Sequence, residues 1–224
     1  PLYYIGLHYW RRIWGDSDVR IRAYSLTWSL LGLLALFLLA SDIGGWRAGL
    51  ITLVFATVNP LDIYFAQEAR MYSQVVALCT LGAWCLWRWM ATVSSSSKPK
   101  TWLPWAVAYT FCASGAFLTH YLSALIFISQ GLFALVWFTR RKQWPSLAGY
   151  GISALAGAVL FLPWFAYVMR FRPTLYHPGL HWIEAPSLRD YYCFLGCEFF
   201  WGNVFEVHSR WWRQTMLLPL FVLA

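Results

Sequence analysis

Long apolar runs constrain the fold of this chain more than any other feature of its sequence. Residues 23–40 form the clearest run, which as a helix at ~1.5 Å per residue would cover about 27 Å, close to the thickness of a bilayer core. Hydrophobic residues make up 60% of the chain and charged residues 12%, whereas soluble domains carry about 25% charged residues. The sequence therefore predicts an all-α, polytopic membrane helix bundle.

Further spans are expected at 46–58, 71–90, 102–119, 122–138 and 147–168, with a seventh that begins at residue 216. Residues 1–14 are expected to form an amphipathic interfacial helix. Asp16 and Asp18 follow in a turn, where capping of the next helix is the favoured role. Residues 170–214 are expected to form a long aromatic loop. Cys193 and Cys197 within it are interpreted as buried thiols, with a metal pair or a disulfide as alternatives.

Basic residues are distributed unevenly between the predicted short loops. One side of the membrane collects Arg47, Arg88, Lys98, Lys100, Arg140, Arg141 and Lys142. The short turns on the other side contribute only Arg70. Cytoplasmic loops carry such an excess of Lys and Arg, so the Arg70 side is predicted to be extracytoplasmic. The formal charge of +8 is scattered between spans, which indicates lipid head groups or a phosphate-bearing lipid as partners and no nucleic acid.

The most polar interruption between two apolar runs extends from Asn59 to Tyr72. Asn59 can cap a helix and Pro60 suits its first position, so a helix is predicted to start there. Its polar face would carry one stripe of Tyr64, Glu68 and Tyr72 and an adjoining stripe of Gln67, Arg70 and Gln74. Its back would carry small residues that admit a neighbouring helix, namely Ala66, Ala69 and Ser73. The alternative is a solvated loop with an ion pair at a helix end.

The predicted external side also collects His8, His120 and the 170–214 loop. Few ionisable groups fall near the expected centres of the spans, where they are costly and where transporters carry them. This distribution favours a reaction at the outer membrane surface. His120 and Tyr121 form the tip of a tight external hairpin, and Tyr4 and His8 share a face of the interfacial helix.

Several short motifs occur in an order that resembles one family of enzymes. They are Pro1-Leu2-Tyr3-Tyr4 with His8 and Trp10, Trp14-Gly15-Asp16-Ser17, Arg22, Asn59-Pro60, Gln67-Glu68-Ala69-Arg70-Met71-Tyr72, His120-Tyr121 and Leu162-Pro163-Trp164. This order resembles the bacterial multi-pass glycosyltransferases of the GT-C type (glycosyltransferase family 39), which are related to protein O-mannosyltransferases and lipid A aminoarabinose transferases. The resemblance covers nearly all of the chain and is most specific in the stretch from Gln67 to Tyr72.

The resemblance implies that residues 1–224 are part of one GT-C transmembrane domain in the bacterial inner membrane. It implies transfer of a sugar from a polyprenyl phosphate to a lipid, glycan or protein acceptor on the extracytoplasmic face. The general base would lie upstream of Pro1, so the catalytic residue is unknown and Glu68 is a supporting residue. Substrate contacts are expected from Arg70, Tyr72, Gln67, Tyr64, His120, Tyr121, Tyr4 and His8.

No resident cofactor is expected, and nothing in the sequence supports the divalent metal that such an enzyme could use. Arg70 is the expected phosphate ligand because its planar guanidinium matches phosphate oxygens. The alternative is a non-catalytic membrane protein, either a transporter of a lipid-linked substrate or a structural subunit. Acidic residues just before Pro1 would favour the enzyme.

Overall fold

The computed structural model describes residues 1–95 and 99–175, and within these ranges all regular structure is helical. The helices are α1 (Leu2–Trp14), α2 (Asp18–Gly44), α3 (Trp46–Thr57), α4 (Pro60–Gln67), α5 (Tyr72–Ser95), α6 (Pro99–Thr119), α7 (Ser123–Arg140) and α8 (Trp144–Leu175). The predicted all-α class is therefore confirmed for the described residues. The predicted seventh span, Cys193 and Cys197 lie outside them.

Four described helices are long and apolar enough to cross a membrane, namely α2, α5, α7 and α8. Helices α3 and α4 meet the same criterion only as a pair, which is bent by 65° at the break between them. Helix α6 coincides with the predicted span at 102–119 but is not among the candidates.

Helix α8 corrects the predicted start of the long aromatic loop, because it continues through residues 170–175. The helix also passes through Pro163 without ending there. Prolines are tolerated within membrane helices, where neighbouring groups can satisfy the freed backbone carbonyl.

The core lies around α5, which packs against α2 on one side and α6 on the other. The indole rings of Trp89 and Trp102 stack at 5.3 Å with 7° between their planes. Tyr109 of α6 and Tyr150 of α8 share a hydrogen bond of 2.8 Å between their hydroxyls. Large apolar side chains that are not in this core, such as Leu30 and Phe111, point outward and form the surface expected to meet lipid.

Helix α1 packs closely on α2 at Gly6. A Cβ added to Gly6 would lie 2.0 Å from the hydroxyl of Tyr24. The outer side of α1 is open, with Tyr4 and Tyr9 each more than half exposed. The predicted short helix is therefore present, as Leu2–Trp14, and its place at the membrane interface stays a prediction.

The two ends of the bundle differ in their chemistry. At one end Asp42 accepts hydrogen bonds from the Trp84 indole and the Arg88 guanidinium, at 2.9 and 3.4 Å. Arg141 lies at the same end, where it donates to the Ser94 hydroxyl. The other end carries Glu68, Arg70 and His120. The positions of Arg88 and Arg141 match the predicted grouping of the short-loop basic residues, while the membrane side that each end faces stays a prediction.

Candidate functional site

The centre of the candidate site is the break between α4 and α5. Asn59 caps α4 as predicted, because its side-chain oxygen accepts from the backbone N–H groups of Leu61 and Asp62 at 2.9 and 3.2 Å. The expected continuation of this helix through Tyr72 is wrong. Helix α4 ends at Gln67, Glu68 is extended, and α5 begins at Tyr72.

A side-chain hydrogen bond explains the break. In a continuous helix the Phe65 carbonyl would accept from the N–H of residue 69. Here it accepts instead from the Ser73 hydroxyl, at 2.7 Å. The Arg70 N–H donates to the Glu68 carbonyl at 2.8 Å, which closes a tight turn. Serine hydroxyls can compete with backbone donors in this way. The helix therefore ends here, and the three residues that follow it are bent.

The break corrects the predicted faces of this stretch. Tyr64 and Tyr72 do not lie on one helical stripe, because they belong to different helices. Ala69, expected to face a neighbouring helix, is exposed within the bend, although Ala66 and Ser73 are buried. The predicted helix face of small, buried residues is therefore present only in part.

Glu68 and Arg70 form an ion pair in the bend. The Arg70 Nε lies 3.0 Å from Glu68 Oε1, and the side chains are 61% and 21% exposed respectively. A pair this accessible stabilises a fold by only ~0.2–1 kcal/mol, so its contribution to folding is small. Glu68 engages the Nε edge of the guanidinium. Among the described residues, no side-chain or backbone group accepts a hydrogen bond from the Arg70 guanidinium, and the Arg70 side chain as a whole is largely accessible.

A chain of hydrogen bonds connects the backbone carbonyl of Arg70 to α2 and α1. Tyr3, which is 1% exposed, shares a hydrogen bond of 3.0 Å with the Ser25 hydroxyl. Ser25 donates in turn to the Arg70 carbonyl at 3.5 Å. Burial raises the pKa of the Tyr3 hydroxyl, and the nearby Glu68 charge adds to this shift while the Ser25 hydrogen bond opposes it. Tyr3 therefore stays protonated and can donate toward the Arg70 turn.

Gln74 corrects another part of the predicted polar face. It is 1% exposed and lies inside the bundle, not at its surface. Its amide oxygen accepts from the Tyr24 hydroxyl at 3.4 Å, and its amide nitrogen donates to the Thr119 hydroxyl at 3.2 Å. This buried network joins α2, α5 and α6, and it ends one residue before His120.

His120 lies in the predicted tight turn between α6 and α7, near the start of α5. Its ring centroid is 6.3 Å from that of Tyr72, and it stacks on Tyr121 at 5.1 Å. His120 Nδ1 accepts from the Leu122 backbone N–H at 3.2 Å, so the neutral ring carries its proton on Nε2. The histidine thus closes the hairpin turn and also presents an N–H donor on its other edge.

The other predicted contacts are more distant from the ion pair. Tyr64 is 56% exposed and packs edge-on against Phe65, while Gln67 is exposed at the end of α4. Tyr4 and His8 lie on the exposed side of α1. In the described part of the chain, none of these four forms a hydrogen bond, ion pair or ring contact with Glu68 or Arg70.

The predicted roles of Asp16 and Asp18 are also revised. Asp16 forms an exposed ion pair with Arg11, and this hydrogen bond lowers the pKa of the Asp16 carboxyl. Ser17 stands at the cap position of α2 without a side-chain cap bond, and Asp18 is in the first turn. Capping by Asp16 is therefore wrong. Across the described residues, no three His, Cys, Asp or Glu side chains come close enough to hold a metal ion.

Searches against protein-family models, curated proteins and solved structures found no match to this chain. The described residues define an all-helical chain with several helices able to span a membrane. At one end of that bundle, a bend between two helices presents a guanidinium paired with a carboxylate, and the Tyr72 ring at the start of the second helix lies 6.3 Å from that of His120.

Proposed function

We propose that this chain is part of a membrane glycosyltransferase. It moves a sugar from a polyprenyl-phosphate donor to an extracytoplasmic lipid, glycan or protein acceptor at the bacterial inner membrane. Two lines support the proposal. The first is the resemblance of the motifs, above all residues 67–72, to GT-C enzymes. The second, which carries most weight, is the position of Arg70 at a helix break with its side chain 61% exposed.

Arg70 suits the leaving group of this reaction. The acceptor hydroxyl oxygen bonds to the anomeric carbon of the sugar as the bond from that carbon to the phosphate oxygen breaks. The electron pair of the broken bond stays on the lipid phosphate. A guanidinium can stabilise that charge with two parallel hydrogen bonds, which a single ammonium cannot do. The Nη edge of Arg70 has this geometry.

Glu68 and the buried hydrogen bonds would position Arg70 for this task. The carboxylate holds the Nε edge at 3.0 Å, and Ser25 with Tyr3 holds the backbone. The proton of the acceptor hydroxyl passes to a carboxylate base, which we do not assign to a described residue. Tyr72, with His120 at 6.3 Å, forms a neighbouring polar and aromatic surface suited to a sugar.

A transfer assay tests the proposal with the full-length protein and a radiolabelled polyprenyl-phosphate sugar. Arg70→Lys keeps the charge but loses the bidentate fork, so transfer should slow by roughly ten- to a hundredfold, the equivalent of one charge-assisted hydrogen bond. Arg70→Ala should be slower still, and Glu68→Gln should reduce turnover at unchanged expression. Arg47→Ala, at the opposite end of the bundle, is the matched control and should transfer normally. Wild-type transfer by Arg70→Ala would refute the proposal.

A transporter of lipid-linked substrates is the second candidate, and one observation favours it. Helices α3 and α4 form a broken pair bent by 65°, and broken helices are common in transporters. Reconstituted vesicles separate the two functions. A transporter would move the labelled lipid across the bilayer and leave its sugar–phosphate bond intact, whereas the enzyme would release polyprenyl phosphate.

A further inference from the structure

The turn between α7 and α8 carries three consecutive exposed cations, Arg140, Arg141 and Lys142. Within the described residues none of the three pairs with a carboxylate, because every ion pair there joins its carboxylate to an arginine elsewhere. The turn therefore presents three positive charges that no described group of this chain neutralises.

The backbone of this turn places a lysine where a helix end commonly carries glycine. The Lys142 N–H donates to the Thr139 carbonyl at 3.0 Å, and the Gln143 N–H donates to the Phe138 carbonyl at 2.9 Å, which is the Schellman arrangement. Lys142 is its left-handed residue, with a φ of 56°, a conformation that favours glycine because a Cβ is strained there. In the described ranges it is the one residue other than glycine with a positive φ. Such an exception points to a role for the side chain.

Arg141 is held in place although it is exposed. Its Nη1 donates to the Ser94 hydroxyl at 3.3 Å, and Ser94 donates in turn to the Met90 carbonyl at 3.0 Å. The guanidinium carbon lies 4.7 Å from the centre of the Trp137 ring, within the range of a cation–π contact. A bias of basic residues toward one side of a membrane needs only charge, which a mobile lysine supplies equally well. A guanidinium held in place is suited in addition to the oxygens of a phosphate.

The turn continues a face of α7 that is open and apolar. Leu132, Val136 and Arg140 follow one another at four-residue spacing, so they lie on one stripe of the helix. Leu132 and Val136 are 61% and 49% exposed, and Phe133 is 53% exposed. Because α7 is long and apolar enough to span a membrane, this face is expected to meet acyl chains. A ligand that contacts both the face and the turn needs an apolar tail and an anionic head.

We propose that the α7–α8 turn binds an anionic phospholipid. Its phosphate lies among Arg140, Arg141 and Lys142, and its acyl chains run along Leu132 and Val136. The site is at the end of the bundle opposite to the bend between α4 and α5. The proposal is independent of the transfer reaction and of the membrane side that this end faces, because it concerns only this turn and the adjoining helix face.

Lipid binding to the full-length protein in detergent micelles tests the proposal. The probe is phosphatidylglycerol with a dansyl group on one acyl chain, and energy transfer from the tryptophans reports its binding. Each cation near a lipid surface contributes about fivefold in affinity, so unlabelled phosphatidylglycerol should displace the probe at least about tenfold more effectively than phosphatidylcholine. Inorganic phosphate should not displace it, because it lacks the apolar tail. Equal displacement by phosphatidylcholine would overturn the proposal, and displacement by inorganic phosphate would replace it with a site for a free anion.

Two variants distinguish a built site from diffuse attraction by charge. Arg141→Lys keeps the charge and loses the planar fork, so the probe should bind about tenfold more weakly, the equivalent of one charge-assisted hydrogen bond. Arg47→Lys is the matched control, because Arg47 lies over Trp46 at 5.6 Å at the same end of the bundle, and it should bind the probe like the wild type. Lys142→Gly removes one charge together with the backbone strain. It should bind the probe about fivefold more weakly and yet melt no lower than the wild type without added lipid.

The opposite effects expected of Lys142→Gly on stability and binding keep the test separate from misfolding. Wild-type affinity in Arg141→Lys would mean that charge alone attracts the lipid, and it would contradict the proposed site. Wild-type affinity in a folded Lys142→Gly protein would contradict it as well, because the lysine would then have no part in holding the head group.

Discussion

Replacing Gln74 with Met removes the amide at the centre of the buried network and keeps the length of the side chain. The Tyr24 hydroxyl then loses the acceptor it reaches at 3.4 Å. Thr119 loses a donor at 3.2 Å but keeps its own bond to the Gly115 carbonyl at 2.7 Å. One buried group is thus left unsatisfied, at a cost of ~1–3 kcal/mol. In a domain of roughly 150–250 residues 1 kcal/mol corresponds to about 2–4 °C, so that cost should lower the melting temperature by roughly 2–12 °C.

The assay can use thiols already present in the chain. Cys79 and Cys85 are buried and free, so a thiol-reactive fluorophore added to the full-length protein in detergent reports their exposure on heating. Gln67→Met is the matched control, because Gln67 is exposed at the end of α4 and its replacement should stay within about ±0.5 kcal/mol.

A double-mutant cycle with Tyr24→Phe identifies the cause. If the hydrogen bond between Tyr24 and Gln74 matters, the double variant should lose less stability than the two single variants together, with a coupling of ~0.5–3 kcal/mol. Additive losses, or a Gln74→Met protein as stable as Gln67→Met, would refute the assignment of a buried network to α2, α5 and α6.

Two further predictions concern packing and topology. Gly6→Ala places a Cβ 2.0 Å from the Tyr24 hydroxyl and should lower the free energy of unfolding by about 1–3 kcal/mol. The control, Gly151→Ala, meets nothing within 4 Å and should be neutral or slightly stabilising. Equal melting temperatures for the two variants would mean that α1 does not pack closely on α2. A cysteine that replaces Tyr121, which is 70% exposed, should react with an impermeant thiol reagent in intact cells, and a cysteine that replaces Gln143 should not. The opposite labelling pattern would reverse the predicted orientation in the membrane.

The sequence predicts the helices well because their signals are local. The apolar run at 23–40 falls inside α2, the run at 122–138 starts one residue before α7, and the Asn59-Pro60 cap behaves as its composition predicts. Such signals need only the length of a run and the residue types at its ends. They do not depend on what packs against the helix.

The candidate site was predicted less completely because its shape depends on contacts that spacing does not reveal. The α4–α5 bend follows from a hydrogen bond between Ser73 and Phe65, eight residues apart, and helical periodicity cannot anticipate it. Exposure of Ala69 follows from the same bend. The burial of Gln74 depends on partners from two other helices, 50 and 45 residues away in the sequence. A glutamine one turn inside an apolar run was the available signal for such partners.

The affinity for the lipid phosphate tests the central claim most directly. Full-length wild type, Arg70→Ala and Arg47→Ala proteins can be titrated in detergent with a short-chain polyprenyl phosphate and with the matching polyprenol. We predict that the wild type and Arg47→Ala bind the phosphate at least about tenfold more tightly than the alcohol, which corresponds to one charge-assisted hydrogen bond or more. Arg70→Ala should lose this preference. A phosphate preference that survives in Arg70→Ala would contradict the account and leave the Glu68–Arg70 bend as a structural turn.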